Sequence, residues 1–350
     1  MSTSRCLVTG ATGYVGRHLL RALRKSGRPA VVLVRDRAAW LAQPWIAEAG
    51  PVDVIEGSPL DTSRYEADPA LRGVTTIFHT AAIVKHSRTG TDEMTELNVR
   101  GTLSMVQLGK RLGARVVFVS SSGTVGCFRF AGVTADEDAP YAEDLVGRWP
   151  YYASKIRAER ESRQLADKLG VELTFVRPPV LLGPDDHRLR STGYVLKAIE
   201  RKVPAIPNGG MNFTDVRDVA SALVRLGEKE TVRPIYHLPG YASSLREFFA
   251  MVTEISGVRG SKVPLPTFAA FGLARMGRPL PRRPSWFPDP VVLEMGTRHW
   301  GLTSLFAHEL GYEPRSPRQT LVDTVEWLRG LPAARRRPHG EARDHAAPPP

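Results

Sequence analysis

Thr9-Gly10-Ala11-Thr12-Gly13-Tyr14-Val15-Gly16 is the stretch that decides the fold of this chain. Before it, Arg5-Cys6-Leu7-Val8 is a short apolar run that reads as a buried first strand. After it, Leu19, Leu20 and Leu23 recur at helical spacing between Arg17, Arg21, Arg24 and Lys25. A strand, a glycine-rich turn and a helix make a dinucleotide site in which each glycine has its own task. Gly10 permits the tight turn, Gly13 lets the backbone approach a pyrophosphate, and Gly16 lets the helix lie close on the sheet. The phosphates then face the unpaired N–H groups of the helix N-terminus. A glycine-rich turn can also bind nothing, but its place between strand and amphipathic helix argues for the nucleotide.

Working outward, Ala30–Val34 is the second strand, with Arg35-Asp36-Arg37 at its tip, where such folds meet the adenosine ribose. An acidic residue there accepts from the 2′-hydroxyl of NAD, whereas arginine pairs with the 2′-phosphate of NADP, so Arg35 favours NADP. Val52–Glu56 and Thr75–Phe78 read as the third and fourth strands, the latter running into His79-Thr80-Ala81-Ala82. The small residues there let a dinucleotide lie against the backbone. His79 has no partner at ligand spacing and reads as a structural hydrogen-bonding residue, and no metal site is expected. A long helix over Asp92–Leu112 carries Asn98, and Arg115–Val119 leads into Ser120-Ser121-Ser122-Gly123. Tyr151 and Lys155 lie one helical turn apart on the next helix, which extends to Leu169, while Tyr152 leaves in another direction. Glu172–Val176 is a sixth strand, followed by Arg177-Pro178-Pro179-Val180. Strands alternating with helices at this spacing give a doubly wound α/β fold, a parallel Rossmann sheet with a smaller mixed C-terminal lobe. The expected division is 1–184 for dinucleotide binding, 185–332 mainly for substrate, with segments returning to the first domain, and a disordered tail over 333–350.

The totals agree with one large domain plus a lobe: 350 residues, 42% hydrophobic and 24% charged. No apolar run is long enough to span a bilayer. The N-terminus enters the first strand directly, so no signal peptide is expected, and two cysteines, Cys6 and Cys127, make no disulfide framework. A reducing cytoplasm is the expected compartment. The net charge of +12 is concentrated partly in Arg335, Arg336, Arg337 and Arg343 of the tail and in Arg275, Arg278, Arg282 and Arg283. No nucleic-acid motif accompanies this charge, so no nucleic-acid partner is expected. Peripheral contact with an anionic membrane and a homodimer stay open.

Taken together, these residues resemble the extended short-chain dehydrogenase/reductase family over about residues 5–330. The Val34-Arg35-Asp36 tip and the Val117–Val125 run look most like dihydroflavonol reductases and 3β-hydroxysteroid dehydrogenases. The resemblance implies a serine, Tyr151 and Lys155 as the catalytic set, with Asn98 in support. Aligned on the strand end the serine is Ser121; aligned on Val125 it is Ser122. It also implies cofactor contacts from Gly10, Thr12, Gly13, Tyr14, Val15, Gly16, Arg35, Thr80, Ala81, Ala82, Tyr151, Lys155, Pro178 and Val180. Ser58 stands where the family usually carries an aspartate for the adenine, leaving Asp61 as the nearby carboxylate.

The reading is an NADP(H)-dependent oxidoreductase that moves a hydride between nicotinamide and a secondary alcohol or ketone. Its substrate is expected to be bulky and mostly apolar, of steroid, flavonoid or polyketide size. Leu265, Phe268, Phe271, Leu273, Met276, Trp286 and Phe287 would wall the pocket, in a helix followed by an irregular segment. Satellite core is the competing account of that stretch. A nucleotide-sugar epimerase or dehydratase with retained NAD is the alternative, and a non-catalytic NADP-sensing module is a further one.

Overall fold

The computed structural model of the chain describes residues 4–277 and 289–332. Arg278, Arg282, Arg283, Trp286, Phe287 and the tail from residue 333 lie outside them. Short runs of apolar residues, many of them β-branched, form a sheet buried on both faces. Its strands are β1 (Arg5–Thr9), β2 (Ala30–Val34), β3 (Asp53–Glu56), β4 (Val74–His79), β5 (Arg115–Val119), β6 (Leu173–Arg177) and β7 (Ile235–His237). They lie in the order β7-β6-β5-β4-β1-β2-β3, all parallel. Six of the seven match the sequence reading to within a residue at either end; β7, only three residues long, was not foreseen.

Alternation decides which layer each side chain joins. Cys6, Val8, Val32, Val34 and Val117 face the core under α1 (Tyr14–Lys25) and the helix Val216–Glu228. Leu7, Val31, Leu33, Val116 and Phe118 face the core under α2 (Asp92–Leu112) and α3 (Pro150–Leu169). The chain reverses its direction of travel across the sheet between β1 and β4, which opens a crevice at the strands' carboxyl ends.

The lobe is built on a mixed three-stranded sheet. Gly210–Asp215 pairs parallel with Val180–Leu182 and antiparallel with Tyr241–Ser244. The helices Leu245–Ser256 and Pro317–Gly330 cover it through Phe248, Val252, Leu321, Val325 and Leu328. Three contacts from α1 fix the segment that follows Val180–Leu182 into this lobe. Tyr14 donates to the Gly183 carbonyl (2.9 Å), a His18 ring nitrogen meets the Pro184 carbonyl (3.1 Å) and Arg21 pairs with Asp185 (2.6 Å). The helix that opens the glycine-rich turn therefore also sets the second wall of the cleft.

The helix expected in the proline-rich stretch is α4 (Thr267–Gly277). Its orientation corrects the expectation for its side chains. Small residues Ala270, Ala274 and Gly277 face inward, where the helix packs on the segment Pro290–Met295. Phe268 and Met276 point to solvent, at 81% and 70% exposure, and so are not satellite core.

Behind the cleft lies a buried charged network. Arg177 Nε donates to Glu159 (3.2 Å), its Nη2 reaches the other carboxylate oxygen, and Tyr141 donates to the same carboxylate (3.0 Å). Arg177 also meets His237 Nε2 (3.3 Å), whose Nδ1 faces the Thr303 carbonyl (3.1 Å). Glu159 and Arg177 are shielded from water, so removing one partner strands the other's charge. Arg177→Met is expected to cost about 3–5 kcal/mol in urea unfolding, and Arg177→Met with Glu159→Leu should regain most of it.

Candidate functional site

At the carboxyl end of β1 the backbone is forced into close contacts. Gly10 has φ +71°, and a Cβ there would stand 2.6 Å from the Ala81 nitrogen. A Cβ on Gly16 would run into the Gly10 carbonyl oxygen. Gly13 caps α1 with no side chain on the first-turn N–H groups and no acidic residue in that turn. Such an end attracts an anion, so the cradle fits a dinucleotide pyrophosphate. Val15 packs into the core and the Tyr14 hydroxyl is bonded to Gly183, so neither side chain is placed on the phosphates. Thr80 donates to the Thr9 carbonyl (2.7 Å) and the Ala81 N–H to Thr9 Oγ1 (3.3 Å), drawing the β4 end against the turn. Below it Thr9 Oγ1 and His79 Nδ1 are 2.8 Å apart, and burial lowers the imidazole to about 3, so the ring is neutral.

At the tip of β2 the three charged residues separate. Asp36 accepts from Ala39 N (2.8 Å) as the cap of a short helix. Arg37 turns to the Val54 carbonyl (3.2 Å). Arg35 is exposed at the strand end. Burial and the neighbouring charges of Arg35 and Arg190 lower the proton affinity of Arg188, which comes from the second wall. Asp61 is engaged locally, with Ser63 (2.6 Å) and Arg64 (2.7 Å), while the Ser58 carbonyl holds the Tyr65 hydroxyl (3.1 Å). Asp61 is thus drawn into its own turn.

The serine, tyrosine and lysine singled out in the sequence lie between the end of β5 and α3. The Ser121 side chain accepts from Gly123 N (3.2 Å) and lies near enough to the Tyr151 phenol to lower its proton affinity. Ser122 opens the following turn, its N–H on the Pro178 carbonyl (2.9 Å). Between the two alignments, the geometry brings Ser121 to the tyrosine. Lys155 Nζ donates to the Val119 carbonyl (3.0 Å) and lies 4.5 Å over the Phe118 ring. Burial raises Tyr151 to about 12, opposed by Ser121. Burial lowers Lys155 to about 8, opposed by Glu159. The phenol therefore keeps its proton at neutral pH.

Asn98 sits at neither reactive atom. Its Oδ1 accepts from Ile83 N (2.9 Å), and its Nδ2 donates to the Ile83 carbonyl (3.0 Å) and Ser154 Oγ (3.1 Å). It pins the segment after β4 to both α2 and α3. That segment delivers His86, absent from the sequence reading, whose ring stands edge-on to Tyr151 with centroids 5.5 Å apart. Burial lowers His86 to about 4, so it is neutral. No periodicity or motif marks residues 83–86; only the Asn98 contact places them. Tyr152 lies between Trp149 and Trp300 and covers Gly123, where a Cβ would strike its ring. Ile83, Val84 and Trp300, each partly buried, pack with these rings. Among the described residues no cluster of three metal-ligating side chains occurs, and no helix is long and apolar enough to cross a membrane.

The crevice at a sheet reversal, the glycine cradle and a Ser/Tyr/Lys set with its tyrosine and lysine buried define an NAD(P)-dependent oxidoreductase of the extended short-chain type. The chain belongs to the NAD dependent epimerase/dehydratase family, whose profile matches residues 6–238. It is 28% identical to sterol demethylase protein B of Methylococcus capsulatus, over 92% of this chain and 98% of that one. It is 30% identical to dihydroflavonol 4-reductase of Zea mays, over 51% of this chain and 53% of that one. The crystal structure of gox2253 superposes with a TM-score of 0.78 at 30% identity, covering 93% of this chain and 98% of that one.

The buried ammonium makes stability depend on pH. Lys155 falls from 10.5 to about 8 on folding, so between those values the unfolded chain binds the extra proton. Stability relative to Lys155→Met should therefore rise with pH across that window, by about 3 kcal/mol in all. Below it both states are charged and the folded chain bears the full desolvation cost. Urea unfolding of both chains at the two ends of the window measures this; a flat difference contradicts a buried ammonium.

Proposed function

We propose that the chain is an NADP(H)-dependent reductase or dehydrogenase acting on a secondary alcohol or ketone of a bulky, mostly apolar substrate. The observation that carries the chemistry is the placement of Tyr151 and Lys155 one turn apart on α3 at the end of β5, both buried, with Lys155 on the Val119 carbonyl and Ser121 in the turn that follows the strand. When bound, the nicotinamide supplies the hydride in reduction and takes it up in oxidation. Tyr151 gives its proton to the carbonyl oxygen in the reducing direction, and Ser121 donates a hydrogen bond to that oxygen as charge develops on it. Lys155 holds a positive charge behind the phenol, which eases its transient loss of a proton. Asn98 positions the wall that faces the substrate. The apolar cluster that holds Ile83, Val84, Tyr152 and Trp300 suits a ring system, as do relatives named for a sterol and a dihydroflavonol. The cations at Arg188 and Arg190 favour the alternative, a nucleotide-sugar epimerase or dehydratase, whose diphosphate they would meet. An NADPH assay of steroid ketones and flavanonols against nucleotide sugars separates the two. Turnover of the sugars alone reverses the reading.

The NADP preference rests on Arg35, since Asp36 is taken by the helix cap. Arg35→Ala is expected to weaken NADPH on the order of 10- to 100-fold while leaving NADH nearly unchanged. Equal losses for the two in a fluorescence titration contradict the assignment.

For the reacting groups, Tyr151→Phe should lower turnover by roughly 10²-fold or more with NADPH affinity kept. Tyr152→Phe should do far less. Ser121→Ala should cost on the order of 10²-fold in kcat, as for a lost oxyanion donor, and Ser122→Ala only a small factor. The opposite order of the two serines would move the oxygen site to Ser122.

A further inference from the structure

A surface helix usually turns its large apolar side chains inward, and α4 does the reverse. Ala270, Ala274 and Gly277 face the protein, while Phe268 (81% exposed), Leu273 (37%) and Met276 (70%) face out. Val263, just before the helix, adds a fourth apolar side chain at 58% exposure. Isolated exposed apolar residues need no explanation, but four gathered along one short segment do.

The stretch that carries them holds charge of one sign. From Ile255 to Gly277 the chain contains Arg259, Lys262 and Arg275, all exposed, and no aspartate or glutamate. Large apolar side chains among cations without acids are what the surface of an anionic bilayer attracts. A second copy of this chain would present the same cations to one another and repel.

The place of the patch in the fold agrees. The inner face of α4 packs on the segment Pro290–Met295, and Val291 of that segment shares a buried cluster with Tyr151 and Tyr152. The patch therefore stands on the side of the fold whose buried cluster includes Tyr151.

We propose that the outer face of α4, with Val263, docks on an anionic lipid surface. Phe268, Leu273 and Met276 enter the boundary between headgroups and acyl chains, and Arg259, Lys262 and Arg275 lie at the phosphates. Docking holds the chain at a phase in which apolar substrates dissolve. That last consequence rests on the apolar-substrate reading, whereas the docking itself does not.

The test is co-sedimentation of the full chain with phosphatidylcholine vesicles, with and without phosphatidylglycerol. Binding is expected to the anionic vesicles, on the order of 10- to 100-fold tighter than to the neutral ones. Phe268→Ser with Met276→Ser should weaken it roughly tenfold. Arg259→Glu with Lys262→Glu should remove the preference for anionic lipid. Neither pair should move the unfolding midpoint, because the four side chains are exposed. Absence of vesicle binding, equal binding by wild type and both variants, or an apolar variant that alters only self-association in light scattering would each overturn the proposal. Failure of the ketone assay alongside intact vesicle binding would count against the substrate reading alone.

Discussion

The contact on which the rest depends is the backbone approach at the first turn, where Gly10, Gly16 and Ala81 are too close for any intervening Cβ. It sets the start of α1 directly against the ends of β1 and β4. From that fixed helix Tyr14, His18 and Arg21 reach the 183–185 segment, so the second wall is referenced to the same turn. The cleft thus has its nucleotide cradle and its far wall tied to one element. A shift of α1 would displace both.

Burial then sets the chemistry, and it acts in opposite senses on the two key side chains. Each loses water, so each is pushed toward its neutral form: Tyr151 upward and Lys155 downward. In the folded chain the ammonium is hydrogen-bonded to the Val119 carbonyl, and Ser121 is the side chain that lowers the phenol's proton affinity. A tyrosine held protonated is suited to donate toward a carbonyl.

What was legible in the sequence follows the range of the interactions involved. Strands β1 to β6, the glycine turn and the Tyr/Lys helix depend on local patterns of apolar residues and on spacing within one helix. Ser121 against Ser122 depends on how the strand end meets α3 across the sheet, which spacing alone leaves open. Arg35 was legible, but the use of Asp36 as a cap appears only once the short helix after it is present. His86 could not be read, because a distant side chain, Asn98, holds its segment through both the N–H and the carbonyl of Ile83. For α4 the apolar composition was visible but not its orientation: the small residues that take the inner face are identified only by what packs on them.

The buried Glu159–Arg177 pair connects these levels. A buried ion pair is poor support for stability, because desolvation offsets most of the attraction. Its place explains its presence better. Glu159 lies one helical turn beyond Lys155 and is the charge that opposes the loss of the lysine's proton. Arg177 holds Glu159 in place, while His237 and Tyr141 carry the network to β7 and to the segment before α3. A hydrophobic replacement of similar volume would pack there. It would also leave Lys155 alone with its desolvation, and the site without a fixed positive charge behind the phenol.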